Sequence, residues 1–385
     1  MESFKTFIPT KLFFGFDEIQ RLSTEPMPGK KALIVISCGT SMKRFGYLEK
    51  VETLLAQNGI ETVVFDKILP NPIKEHVMEG AQICREQKCD FVVGLGGGSS
   101  IDSAKSIAIM AVNDGDYWDY MQGGSGGKKP VTKALPIIAI PTTAGTGTEV
   151  DLWTVITNGE EKLGFGCDFT YPKIAVVDPD FMMSVPSHLT AYQGFDAFFH
   201  SSEGYLANIS TPISRIYSLK SIKLLYKYLP RAVENGDDRE ARYYVALAST
   251  LAGMVESTSG CISEHALEHA ISGLFPKVTH GAGLIAISLA YFKTFEKDVP
   301  DLYADMANVM LERNDCDSGD FIKALARMQQ YCKVDDLKMS SWGIQESDIP
   351  RFLNNARTNS KRSFTLDPRP LTDDDILNIY KESYK

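Results

Sequence analysis

From Lys31 to Asp178 short apolar runs alternate with stretches whose apolar residues recur every three or four positions, the rhythm of successive strand and helix units. ALIVIS (32–37) predicts a buried strand, RFGYLEKVETLLAQNG (44–59) an amphipathic helix ending at Gly59, and ETVVFD (61–66) the next strand. The pattern then repeats, with helical spacing from Lys74 to Gln87, a buried strand DFVVGLG (90–96) and a helix IDSAKSIAIMAV (101–112). LPIIAIP (135–141) and KIAVVD (173–178) read as further strands, and VDLWTVIT (150–157) as a hairpin arm covering a sheet edge. Apolar strands linked by helices predict a parallel sheet with helices on both faces.

After about Pro186 the texture changes. ISRIYSLKSIKLLYKYL (213–229) and REARYYVALASTLAGMVEST (239–258) have helical spacing, and strand-like runs become rare. Gly236-Asp237-Asp238 and Asn314-Asp315 read as connecting turns, and the glycine-rich patch Gln122 to Gly127 as an exposed loop. The expected organisation is an α/β domain over 1–182 followed by an all-helical domain over 183–385, with no internal repeat.

Composition narrows the function classes. The 385 residues are 44% hydrophobic and 23% charged, which suits a soluble globular chain long enough to bury a core without staples. Forty Lys plus Arg against 49 Asp plus Glu give a net charge of -9, and no Lys/Arg run exceeds two residues. That balance argues against a nucleic-acid or membrane partner. Cysteines at 38, 84, 89, 167, 261, 316 and 332 form no CxxC pair and are odd in number, so reduced thiols and a cytoplasmic location are expected. The start, MESFKTFIPTKLFFGF, has no export pattern, and no apolar run reaches the length of a membrane span.

Two glycine- and hydroxyl-rich loops follow buried strands. Gly96-Gly97-Gly98-Ser99-Ser100 runs directly into a helix carrying Asp102 and Lys105. Glycines there let the backbone approach a diphosphate, whose charge the helix N-terminus favours. The plainer alternative is a tight strand-to-helix turn, and the GxGxxG template is not matched because Ser99 stands where its third glycine would fall. Pro141 to Glu149 (PTTAGTGTE) offers four hydroxyls without bulk, suited to a cofactor's phosphates and amide. A third loop, Ser37-Cys38-Gly39-Thr40-Ser41-Met42-Lys43-Arg44, holds hydroxyls and two cations but no acid. Such a loop accepts a ribose 2'-phosphate, which favours NADP over NAD.

Histidine carries the other signal. Only six are present, and His200, His265, His269 and His280 lie in one stretch of the second half. Asp196 and His200 are four apart, as are His265 and His269, so each pair shares a helix face. Imidazoles with one carboxylate suit Fe(II) or Zn(II), and the spacing alone leaves open whether His269 is a further ligand. A pH switch is the alternative reading. An open position on such an ion polarises an alcohol or carbonyl oxygen, which suits hydride exchange with a nicotinamide.

With these segments in view, the chain resembles the iron-containing alcohol dehydrogenase family. GGGSSID from Gly96, PTTAGTGTE from Pro141, GFDAFFH from Gly194, HALEHAISGLFPKVTHGAG from His265, PRPLTDDDILNIY from Pro368 and Pro70-Asn71-Pro72 all carry the likeness. The resemblance implies a Rossmann-like dinucleotide domain, an all-α C-terminal domain of dehydroquinate synthase-like architecture, and a metal site in the cleft between them. It implies Asp196, His200, His265 and His280 as metal ligands, with His269 beside the metal as a catalytic pocket or proton-relay residue. Gly97, Gly98, Ser99 and Asp102 would hold the diphosphate, with Asn71 close by. Thr142, Thr143 and Thr146 would approach the diphosphate and nicotinamide, and Lys162 the ribose. The loop Gly39, Thr40, Ser41 resembles the butanol-dehydrogenase-like branch, whose members generally use NADP(H) on short alcohols and aldehydes.

Small departures accompany the likeness. Thr148 replaces a serine of many relatives, His280 follows His269 by eleven positions, and CISEHAL lacks a glycine common before the first of these histidines. The expected activity is a metal-dependent NADP(H) alcohol dehydrogenase acting as a homodimer. A zinc enzyme resembling glycerol dehydrogenase is one alternative. A cyclising lyase resembling dehydroquinate synthase is a weaker one, since the stretches around His200 and His265 lack the Lys and Arg that its anionic substrate requires.

Overall fold

The computed structural model describes residues 3–385. Its contacts separate into two compact units: Ile8–Asn158 with Leu163–Ser184, and Gly159–Lys162 with Val185–Lys385 and the described residues up to Phe7.

Eight strands are described, all within the first unit except the first two residues of β7: β1 (Lys11–Phe14), β2 (Lys31–Ser37), β3 (Glu61–Ile68), β4 (Phe91–Gly96), β5 (Ile137–Pro141), β6 (Trp153–Asn158), β7 (Glu161–Gly166) and β8 (Ile174–Val177). Six of them form an all-parallel sheet in the order β1-β8-β5-β4-β2-β3. Its helices are α1 (Ser41–Arg44), α2 (Tyr47–Gln57), α3 (Lys74–Glu86) and α4 (Gly98–Met110). Alternate residues of each central strand serve opposite faces. Leu33, Val35 and Val92 pack with Val77 and Ala81 of α3 and Ile107 of α4. Ala32, Ile34 and Val93 pack with Val51, Leu54 and Leu55 of α2. The Rossmann-like expectation is borne out, because strands covered on both faces must be apolar throughout.

Strand β1 escaped the pattern reading. It is an edge strand paired only with β8, and none of its residues is fully buried, so no apolar run marks it. The hairpin around residue 153 forms, but as its own two-stranded sheet of β6 and β7. It is anchored on α4, where Thr154 Oγ1 donates to Asp102 O at 2.8 Å and Val155 N to the Asp102 carboxylate at 2.9 Å.

In chain order β3 lies on one side of β2 and β4 returns to the other, so the order reverses between β2 and β4. Open α/β sheets bind ligands outside the C-terminal ends of strands at such a point. The loops after β2, β3, β4 and β5 all leave from those ends.

The second unit is helical: α5 (Ser187–Leu206), α6 (Pro212–Glu234), α7 (Arg239–Thr258), α8 (Ser263–Leu274), α9 (His280–Phe295), α10 (Pro300–Leu311), α11 (Ser318–Tyr331), α12 (Ile349–Asn359), α13 (Lys361–Thr365) and α14 (Asp373–Tyr384). Among the described residues no strand follows Val177. Helix α5 is buried on nearly every side from Gly194 onward. One side carries Phe198 and Phe199, whose rings stack on Phe321 of α11 and Phe292 of α9 at 6.3 and 6.0 Å. That packing fixes the rotation of α5, and with it the direction of Asp196 and His200. Among the described residues no single helix is long and apolar enough to cross a membrane.

A buried ammonium ties the nucleotide-side unit together. Lys105, on α4, donates to Thr148 Oγ1 at 2.7 Å, Trp153 O at 2.7 Å and Asp151 Oδ1 at 2.8 Å. Its side chain is 0% exposed and that of Asp151 3%. Removing one partner of such a pair strands the other charge in a poor dielectric. Lys105→Met is therefore expected to cost about 3–5 kcal/mol in denaturant unfolding, with part of the loss recovered in Lys105→Met/Asp151→Asn.

Candidate active site

The predicted cofactor residues of the first unit gather at the C-terminal edge of its sheet. Gly97 is the N-cap of α4 in extended conformation and Gly98 opens the helix. A Cβ on Gly98 would lie 2.5 Å from Thr146 Cγ2, so only glycine lets the two loops close. Thr142 N donates to Gly96 O at 2.9 Å, joining the loops through their backbones. Thr142 is buried, while Thr143 and Thr146 are partly exposed and keep hydroxyls available. Ser99 Oγ donates to Pro70 O, which draws the Pro70-Asn71-Pro72 loop to the same helix start. Asp102 accepts from Thr148 Oγ1 at 2.8 Å as well as from Val155 N. Its carboxylate therefore braces the threonine loop against α4.

Gly39 and Thr40 are exposed and Ser41 opens α1. Beside them the tertiary structure brings an acid that the linear reading did not place there, because Lys43 Nζ pairs with Asp66 Oδ2 of β3 at 2.6 Å. Arg44 lies over the Phe45 ring at 4.5 Å. Lys162 belongs to the helical unit. There it donates to Ser272 Oγ at 2.8 Å, and its ammonium stands 3.6 Å from Glu268 Oε2.

The helical unit assembles the histidines around one carboxylate. Asp196 and His200 lie on α5, His265 and His269 on α8, and His280 is the first residue of α9. His280 is thus presented by a helix start, a position that the turn-like sequence VTHGAG did not reveal. Close approach makes this possible, since a Cβ on Gly281 would lie 2.1 Å from the carbonyl oxygen of Tyr192 on α5. The Nε2 atoms of His200, His265 and His280 stand 3.6, 3.4 and 3.4 Å from Asp196 Oδ1. Donors about 2.0–2.2 Å from one tetrahedral ion are separated by roughly 3.3–3.6 Å, so this spacing fits a divalent metal. Donor atoms of Asp196, His265 and His280 all lie within 4.8 Å of one another. His200 stacks on His265 with ring centroids 4.5 Å apart. His269 stands to one side, its ring 5.3 Å from that of His280.

The electrostatics call for a cation at the centre. Burial opposes the charge of Asp196, yet His200, His265 and His280 outweigh it and hold the carboxyl well below its usual range. Burial also opposes a charge on His265, but Glu203 and Asp196 push that imidazole well above its ordinary value. His280 is raised in the same way, with burial and Lys162 opposing and Glu268 and Asp196 prevailing. His269 moves the other way, lowered well below normal by burial, Lys162, His280 and His265. It is a neutral imidazole beside a site that attracts positive charge.

Two functional carboxylates were missed in the sequence. The His265 ring contacts Glu203 Oε1 through Nδ1, and the His280 ring contacts Glu268 Oε2 likewise. Each bond fixes a tautomer and turns the Nε2 lone pair towards Asp196. Glu203 also accepts from Ile262 N at 2.9 Å, which holds the start of α8. Their signal was available: Glu203 follows Asp196 and His200 by seven and three residues, and Glu268 follows His265 by three, all on shared helix faces.

Comparison with known proteins finds relatives along nearly the whole chain. The model of the family described as iron-containing alcohol dehydrogenase matches residues 9–179, and its C-terminal counterpart matches residues 190–384. The chain is 32% identical to choline dehydrogenase of Bacillus subtilis, covering 100% of this chain and 96% of that one. A solved alcohol dehydrogenase from an archaeal halo-thermophile of a Red Sea brine pool superposes with TM-score 0.95 at 32% identity, covering 100% of this chain and 99% of the other. The NADH-dependent butanol dehydrogenase A of Thermotoga maritima superposes with TM-score 0.89 at 30% identity, with coverage of 100% and 99%.

His269 also falls in a donor group, with Glu268 and His280, whose atoms lie within 4.8 Å of one another, so substitution is what separates its role from that of a ligand. His265→Ala is expected to lose bound metal after dialysis, whereas His269→Ala keeps its metal and loses turnover. Glu268→Gln should retain the fold but bind metal about 10-fold more weakly. Metal analysis and a turnover assay on the same preparations check all three, and metal retained by His265→Ala contradicts the ligand assignment.

Proposed function

The chain belongs to the iron-containing alcohol dehydrogenase family, and from that premise we propose that it moves hydride between NADP(H) and a short-chain primary alcohol or its aldehyde, with butanol and butanal as model substrates. As a member of that family it is a metal-dependent, nicotinamide-linked alcohol or aldehyde oxidoreductase. The observation that carries the reading is the ring of three imidazole nitrogens at 3.4–3.6 Å from Asp196 Oδ1.

Asp196, His200, His265 and His280 would hold the ion, Fe(II) or Zn(II), which when bound polarises the substrate oxygen. Glu203 and Glu268 keep His265 and His280 turned inward. His269, kept neutral by its surroundings, has a ring nitrogen free to exchange a proton with substrate or water. Gly97, Gly98 and Ser99, at the N-terminus of α4, would take the diphosphate, with Thr143 and Thr146 offering hydroxyls beside them. The apolar residues of α5 and α8 keep bulk water from Asp196, His200 and His265, which strengthens the charge interactions among them. The reading takes the enzyme as a cytoplasmic homodimer, supported by its seven unpaired cysteines and the family resemblance.

The preference for NADP(H) rests on the acid-free loop Gly39 to Ser41 and on Lys43. Asp66 already pairs with Lys43, so a 2'-phosphate must compete with that carboxylate. Such exposed pairs are worth little, and a doubly charged phosphate outbids a carboxylate.

The test strips the purified chain with a chelator, restores Fe(II) or Zn(II) separately, and follows NADPH and NADH oxidation with butanal. Turnover after metal restoration, faster with NADPH, is the expected result. Lys43→Ala should lower kcat/KM for NADPH by about 10-fold and leave NADH nearly untouched. Activity with NADH alone removes the cofactor preference, and no turnover with either metal, cofactor or a range of short aldehydes removes the substrate reading.

A further inference from the structure

The donors near Asp196 outnumber what one ion takes, and the surplus includes a thiol. Cys261 sits in the turn between α7 and α8, and its sulfur belongs to a group with His200 and His265 whose donor atoms all lie within 4.8 Å of one another. The S–H donates to Glu256 Oε1 at 2.7 Å, and no disulfide engages it. An independent observation comes from His200. The residue is 7% exposed, and its Nδ1 has no hydrogen-bond partner among the described residues. A buried imidazole nitrogen left without a partner is costly, and coordination to a bound ion removes that cost. His265 and His280 each have a carboxylate on the outer nitrogen; His200 does not.

We propose that His200, Cys261 and His265 form a second donor set, which holds a soft divalent ion such as Zn(II) or Cd(II) and shares His200 and His265 with the set of Asp196, His200, His265 and His280. This rests on the metal reading above and deepens it. Imidazoles with one carboxylate do not separate Fe(II) from Zn(II), whereas a thiolate favours the softer ion. Because both sets use His200 and His265, separate ions cannot fill both at once, and Cys261 biases which metal the centre keeps. Coordination is a simple exchange: the S–H bond breaks, a sulfur–metal bond forms, and the proton passes to the Glu256 carboxylate that already accepts its hydrogen bond. No electron is transferred, and the ion remains divalent.

The experiment titrates the full-length, chelator-stripped chain with Co(II) and, separately, Cd(II), under reducing conditions without oxygen. A thiolate donor produces a sulfur-to-metal charge-transfer band in the ultraviolet that imidazole and carboxylate donors do not. The expected result is that band in the wild type, its loss in Cys261→Ser, and Cd(II) affinity about 10-fold or more weaker in that variant, with Mn(II) affinity unchanged. Co(II) and Cd(II) bound by metal analysis without the band in the wild type overturn the second donor set and leave the metal reading standing. A band that survives in Cys261→Ser, or an equal loss of Mn(II) affinity, overturns it as well. A chain that binds neither ion overturns both readings. The wild-type spectrum needs no variant to fold.

Discussion

Asp196 imposes the constraint from which the rest of the helical unit follows. A carboxylate buried at 4% exposure is tolerable only if positive charge or hydrogen-bond donors surround it, and three imidazoles from three helices do so. Those imidazoles must in turn be held. Glu203 and Glu268 grip the outer nitrogens of His265 and His280, so that inner and outer carboxylates fix each ring between them. Without a metal the arrangement raises the proton affinity of both rings. A divalent ion supplies the same charge more compactly, and metal affinity and local stability are therefore two readings of one field.

Packing delivers the geometry that the charges exploit. Helix α5 is locked by aromatic stacking on α9 and α11, so its polar side can point only one way. Gly281 lets the start of α9 press against the α5 backbone, which carries His280 to within 3.4 Å of Asp196. Interiors packed at crystal-like density transmit such constraints over several residues. The precision of the centre thus depends on Phe198, Phe199 and Gly281 as much as on the donors themselves.

The other unit solves a different problem with backbone instead of side chains. Its loops meet because glycine leaves room beside Thr146, and because Lys105 and Asp102 hold the threonine loop and the β6–β7 hairpin to α4. A site made of N–H groups, hydroxyls and a helix start is suited to phosphates and carries little charge of its own. Beside the Gly39 to Ser41 loop, Lys43 and Asp66 face each other as an ion pair.

Much of this was legible in the sequence, for identifiable reasons. Strands β2, β4 and β5 are buried on both faces and had to be apolar throughout; α6 and α7 are long enough for their spacing to declare them. Asp196 with His200 and His265 with His269 were visible because side chains four apart on one helix share a face. Strand β1 was not visible, since an edge strand is stabilised by its neighbour's hydrogen bonds and needs no apolar run of its own. Nor could sequence place Asp66 beside Lys43, Lys162 against Glu268, or Cys261 next to His200 and His265, for these partners are 23, 106, 61 and 4 residues apart and meet only through folding. By itself the sequence determined which residue types and helix faces were available. Tertiary structure alone decided which nitrogen of His265 and of His280 turns inward, because that choice is made by carboxylates contributed from other turns and other helices.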